Sequence, residues 1–206
     1  MDAADVLGFW TLSILFVLIP GADWAYAISA GLRGRVVAPA VAGMLMGHLT
    51  ATVLVAAGVG ALVASTPGLM GGLTLAGGAY LLWLGVLTFT RPATPRESPE
   101  AAAGTSRTRW WWKGLGVSGL NPKVFLLFLA LLPQFTSQSA SLPIPAQILV
   151  LGLIHVATCA VVYVAVALTA RRLLSARPAW AKIVSRASAV AIAGLGLALF
   201  AEQLLA

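Results

Sequence analysis

Six stretches of the chain, at about 6–32, 36–64, 69–90, 112–135, 146–170 and 184–205, are long and apolar enough to cross a bilayer. A helix needs about 20 such residues to span the roughly 30 Å hydrocarbon core. In that solvent every backbone polar group must be paired within the protein, so only helices and closed barrels span it. These lengths are helical. Charged residues make up 9% of the 206 positions and hydrophobic ones 60%, where a soluble domain carries about 25% charged. The expected fold is an all-α integral membrane protein with six transmembrane helices. Ala25-Tyr26-Ala27 mimics a signal-peptide cleavage site, but Asp2 and Asp5 stand where such a peptide is positive. The first stretch is therefore expected to remain as a span.

The gaps between stretches set the orientation. Arg33 and Arg35 fall in the first gap, and Arg91, Arg96, Arg107, Arg109 and Lys113 in or beside the third. Arg171, Arg172, Arg177, Lys182 and Arg186 fall in or beside the fifth. Twelve of the 13 Lys and Arg thus lie on one side, which the positive-inside rule makes cytoplasmic. Both termini then face outward. The net charge of +7 would suggest nucleic acid on a soluble chain; here the cations line a membrane face, and no nucleic-acid partner is expected. Trp110, Trp111, Trp112 and Trp180 suit an aromatic belt at the cytoplasmic interface, and Trp10 the outer one.

The thirteenth cation, Lys123, lies inside a span, as does Asp23. Six spans divide into a first three-helix repeat (1–90), a cytoplasmic linker (91–111, with the polar run RPATPRESPEAAAGTSRTR) and a second repeat (112–206) of inverted topology. Inverted repeats are a common transporter plan, with the binding site at mid-membrane on interrupted helices. The first helix of each half carries such an interruption, IPGAD at 19–23 and LNPKV at 120–124. Asp23 lies ten residues before Arg33, and Lys123 ten residues after Lys113. At 1.5 Å per residue both sit about 15 Å from the cytoplasmic boundary, near the midplane.

Pro20 and Pro122 lack an N–H, so the carbonyls of Phe16 and Ser118 lose their helical donors. An Asp or Lys at a helix centre costs about 2.5–3.5 kcal/mol on insertion scales. Two breaks and two charges at one level are expected to face a shared polar cavity. A structural ion pair between Asp23 and Lys123 is the plainer reading, because breaking a buried pair costs about 3–5 kcal/mol. Intramembrane charges are nonetheless functional candidates by default.

His48 and His155 occupy matched second helices, as pore-lining or proton-relay candidates or as hydrogen-bonded structural residues. Tyr80 and Tyr163 are candidate pocket residues, although a buried tyrosine with a paired hydroxyl is ordinary. Pro39, Gly43, Gly47 and Ala51 recur every four residues, a pattern that serves helix packing within the chain or, alternatively, a homodimer contact. Cys159 is the only cysteine, which excludes an internal disulfide or a dithiol relay. Metal transport is the rival reading. With one acidic residue inside a span and His48, His155 and Cys159 distant in sequence, the ligand set is thin, and neither metal nor cofactor is expected. Ser118, His155 and Asp23 make a catalytic triad on paper only, since a triad is defined by geometry; no enzymatic activity is expected.

The pattern resembles the LysE/RhtB family of amino-acid exporters, six-span bacterial inner-membrane proteins, in its homoserine/threonine-efflux-like form. The stretches that carry the resemblance are PGAD (20–23), GMLMGH (43–48), LAGGAYLLWLG (75–85) and LNPKVFLLFLALLPQF (120–135). Ala22 departs from the family's usual second proline, and Ala189 from a usual glycine. The resemblance implies export of amino acids or close derivatives driven by the proton motive force. The resemblance does not choose the substrate, because members differ among basic, hydroxylated, branched-chain and sulfur-containing amino acids.

A zwitterionic substrate needs an acceptor for its ammonium and donors for its carboxylate. On this reading Asp23, exposed by the break at Pro20 and Gly21, takes the ammonium, while Asn121 and Lys123, beside Pro122, hold the carboxylate. Burial favours the neutral form of an acid and a nearby cation the ionised form, so Asp23 is also the candidate proton carrier. The orientation has a direct check. Alkaline phosphatase fused after Ala140 or Ala206 should be active, and fused after Glu100 or Ala176 inactive; the reverse pattern overturns it.

Overall fold

The computed structural model describes residues 1–65, 69–91 and 106–170, together with scattered positions between 183 and 201. The centre of the expected linker, the fifth gap with Trp180 and much of the sixth expected span lie outside the described residues, as do the side chains of Pro122 and Lys123. The described residues are helical, without strands.

Helices α1 (Ala3–Leu18) and α2 (Ala22–Arg33) form the first stretch, α3 (Val37–Ser65) the second and α4 (Leu69–Thr90) the third. Helices α5 (Arg107–Gly119) and α6 (Pro122–Leu131), with a 3-10 turn at Leu132–Phe135, form the fourth, and α7 (Ile144–Leu168) the fifth. Val37–Gly58 and Ile144–Leu168 are each long and apolar enough to cross a membrane, and the pair α1–α2, bent by 61°, adds a third span if counted as one.

Local chemistry explains the boundaries. The acidic start serves as a helix start: the Asp5 carboxylate accepts the Asp2 backbone N–H at 3.0 Å. Helix α5 begins at Arg107, earlier than the apolar run, because Ser106 caps it by accepting the Arg109 N–H. Prolines at 143 and 145 suit the first turn of α7, where N–H groups lack helical acceptors anyway. One turn further on, buried Gln147 holds the preceding loop, its amide donating to Ser137 O (2.8 Å) and Leu142 O (2.7 Å) and its oxygen accepting from Ser137 N–H (3.0 Å).

Both proline breaks are mended in the same way. The residue before each proline folds back, so that Ile19 N–H donates to Phe16 O at 3.2 Å and Asn121 N–H to Ser118 O at 3.3 Å. The two carbonyls expected to need a polar cavity are therefore satisfied by tightened turns. At the first break the Trp24 indole also donates to Val17 O at 2.8 Å.

Packing is close where glycines line the contacts. A Cβ at Gly43 or Gly47 of α3 would overlap the backbone of α5, and one at Gly114 of α5 would overlap that of α3. Gly31 brings α2 equally close to the backbone of Ala167 in α7. The small-residue stripe thus serves contact within the chain. Across the α2–α5 contact Tyr26 donates its hydroxyl to Trp110 O at 2.6 Å. Trp110 departs from the belt expected of it: it is buried against Tyr26, while Trp112 is exposed. Three consecutive tryptophans turn through about 200° of helix, so one of them must face inward. On the far side Gly85 of α4 meets Ala189 and Ala193.

Gly43→Ala should lower the unfolding free energy by about 1–3 kcal/mol, as overpacking does. Gly116→Ala, where an added Cβ meets nothing within 4 Å, should leave it unchanged or raise it, as followed by thermal unfolding in detergent.

Candidate functional site

Two apolar clusters divide the bundle, and polar side chains collect at their junction. On α3, Met44 belongs to one cluster and Ala51 to the other; on α7, Cys159 and Leu151 divide in the same way. His48 and His155 lie between these members, each buried. The two helix breaks reach the same junction from the other side, with Val17 in one cluster and Ile19 in the other.

Asp23 stands in the first turn of α2, where the helix dipole favours a carboxylate. Its side chain is 13% exposed. Ser118, near the end of α5, donates its hydroxyl to Asp23 Oδ1 at 2.5 Å, and the Asn121 amide reaches Oδ2 at 3.5 Å. His48 Nε2 lies 4.0 Å from Oδ1 and 3.5 Å from the Tyr163 hydroxyl. The carboxylate of one broken helix is thus held by donors at the other break, with an imidazole from α3 beside it.

A second layer continues from His48. Its ring centroid is 5.2 Å from that of His155. His155 Nδ1 lies 2.8 Å from the Ser13 hydroxyl, and its Nε2 lies 3.3 Å from Cys159 Sγ. The rings of Phe128 and Phe16 wall this pair, with centroids 4.9 and 6.4 Å from that of His155. His48 Nδ1 is buried without a hydrogen-bond partner among the described residues.

Of the residues singled out in the sequence, Asp23, Asn121, His48, His155 and Tyr163 come together. Pro20 is buried at the bend, and Gly21 is exposed with φ −162°, an extended conformation open to any residue. Tyr80, half-buried, packs against the cluster that contains Phe9 and Leu81, its ring 5.8 Å from that of Trp83. The paper triad is not assembled: Ser118 bonds directly to Asp23, while His155 faces Ser13 and Cys159. Cys159 was legible only as a small helix residue, Ser118 only as a member of that triad, and Ser13 carried no signal of its own. One signal did exist, since Cys159 follows His155 by four positions and so shares its helix face. His48, His155 and Cys159 each place a ligand-type atom within 4.8 Å of the others, so their distance in sequence is no distance in space.

The family profile described as LysE type translocator matches residues 14–203. The chain is 33% identical over 174 residues to a homoserine/homoserine lactone efflux protein of Salmonella typhimurium, covering 82% of this chain and 80% of that one. It is 30% identical to a leucine efflux protein of Enterobacter sp., over 66% of this chain and 67% of the relative. A cysteine/O-acetylserine efflux protein of Salmonella choleraesuis is 29% identical, over 62% and 63%. No solved structure matches the chain.

Ser118→Ala removes the shortest bond to Asp23 and should cost about 1 kcal/mol, the scale of side-chain hydrogen bonds in helix bundles in membranes. Denaturant unfolding in detergent micelles measures it, and Ser118→Thr should restore most of the loss.

Proposed function

Because the chain belongs to the LysE type translocator family, we propose that it exports an amino acid or a close derivative from the cytoplasm in exchange for protons. The observation that carries this reading is the carboxylate of Asp23 at a helix break, held by donors from a second break. Discontinuous helices that bring their ends to one point are the usual seat of a transported solute.

Asp23 accepts the substrate ammonium. The N-terminus of α6, with Asn121 at its head, receives the carboxylate, since the first turn of a helix offers unpaired N–H groups. Lys123 in the first turn of α6 supplies the matching positive charge. When substrate leaves, Asp23 takes a proton, and His48, Tyr163 and His155 form the polar path by which it arrives. The loading cycle is an exchange at one carboxylate, ammonium for proton.

The contacts between helices support two inverted repeats. Helix α5 of the second half packs chiefly on α3, and α2 of the first half packs on α7. Each first helix therefore lies on the second helix of the other half, as a two-fold relation requires. On this reading the six spans run with both termini outside and the 91–111 segment in the cytoplasm, as the one-sided Lys and Arg distribution favours.

The relatives named for leucine, homoserine and cysteine or O-acetylserine efflux define the first substrates to test. The alternative, transport of a metal ion or another small solute, would leave the paired donors around one carboxylate without a purpose. Everted membrane vesicles, energised to be acidic inside, should accumulate one class of amino acid. Uptake should collapse with the proton gradient and fall at least tenfold in Asp23→Asn. An Asp23→Asn protein that still concentrates substrate against a gradient would falsify the assignment of the proton to that residue.

A further inference from the structure

We infer that His48, His155 and Cys159 form a binding site for one soft monovalent cation, of the copper(I) or silver(I) class, between α3 and α7. The inference does not rest on the transport reading, and an ion held by both imidazoles would occupy the proton path assigned to them there, so the ion-bound and proton-relaying forms are alternative states of one pair.

The donor set comes first. Two imidazole nitrogens and one thiol sulfur, all buried, lie within 4.8 Å of one another. Thiolate with imidazole selects soft or borderline ions over magnesium and calcium, which take oxygen. Bonds of about 2.0–2.3 Å to such ligands put the donors of a three-coordinate ion roughly 3.5–4 Å apart. Side-chain rotations of less than about 1 Å therefore close the set.

The outer contacts prepare the ligands. In the tautomer in which the Ser13 hydroxyl, 2.8 Å from His155 Nδ1, accepts from that nitrogen, the Nε2 lone pair faces Cys159 Sγ at 3.3 Å. A metal-bound histidine characteristically has its other ring nitrogen anchored in this way. Asp23 and Tyr163 lie on the Nε2 edge of His48. Its Nδ1 is buried with no hydrogen-bond partner among the described residues.

Charge decides between ions. Binding replaces the thiol hydrogen with the metal and releases one proton, so a monovalent ion with one thiolate and two neutral imidazoles makes a neutral unit. A divalent ion would leave a net positive charge among Phe16, Phe128 and their apolar neighbours, where an uncompensated charge is costly. Asp23, 4.0 Å from His48 Nε2, is held by the neutral donors Ser118 and Asn121, so its charge is a partial counter-charge to the site from outside the donor set. As the partly exposed neighbour of His48, it also marks the way in.

The test uses the full-length protein in detergent under reducing conditions, titrated with copper(I) against a chromophoric chelator. One equivalent should bind, and X-ray absorption of the wild-type complex should show one sulfur and two nitrogen neighbours. Cys159→Ser should weaken binding at least 100-fold. Ser13→Ala, which removes no ligand, should weaken it about tenfold, the lower end of the range for outer contacts. A copper signal with a single sulfur and no nitrogen neighbour, or equal affinity in His48→Gln, His155→Gln and wild type, would reduce the site to a lone thiol and overturn the inference. So would copper(I) binding to wild type no tighter than to Cys159→Ser.

Discussion

A carboxylate inside an apolar helix bundle has to be solvated by the protein, and the arrangement around Asp23 follows from that need. Continuous helices spend their N–H groups on their own carbonyls. Backbone donors are left over where a helix ends or is interrupted, and side-chain donors must come from a neighbouring helix. The chain interrupts two, and it sets the acid of one beside the hydroxyl and amide at the other. The proline breaks are thus more than tolerated defects. Their backbones are mended by short turns, Ile19 N–H to Phe16 O and Asn121 N–H to Ser118 O.

Close helix packing makes that meeting possible. Gly43, Gly47 and Gly114 let α3 and α5 approach until their backbones touch, and Gly31 does the same for α2 on α7. With little hydrophobic drive between helices in lipid, such contacts supply much of the association energy. They also fix the relative height of the two breaks. A one-turn slip of α5 along α3 would carry Ser118 about 5.4 Å from Asp23 and leave the carboxylate without its nearest donor.

Much of this was legible in the sequence. Length and hydropathy identify the apolar stretches that become helices, among them Val37–Gly58 and Ile144–Leu168 at membrane-spanning length, and Pro20 and Pro122 mark the breaks between α1 and α2 and between α5 and α6. The pairing of His48 with His155 follows from their matched helices. Side-chain partners were less legible. The sequence pairs Asp23 with a cation, whereas its described neighbours are Ser118, Asn121 and His48. A serine in a membrane helix reads as a small packing residue until a neighbour's position is known. Trp110 misled for the opposite reason: its type suggests an interface, but the rotation of α5 turns it onto Tyr26. Side-chain direction depends on helix rotation, which hydropathy does not specify when a helix is apolar on every face.

The most direct measurement is equilibrium binding to the purified protein of a radiolabelled amino acid and of the same molecule lacking its amino group. With Asp23 as the ammonium acceptor, the amino acid should bind at least tenfold more tightly, and Asp23→Asn should abolish the difference. Equal binding of the two ligands to the wild-type protein, or a preference unchanged in Asp23→Asn, would contradict the role given to this carboxylate.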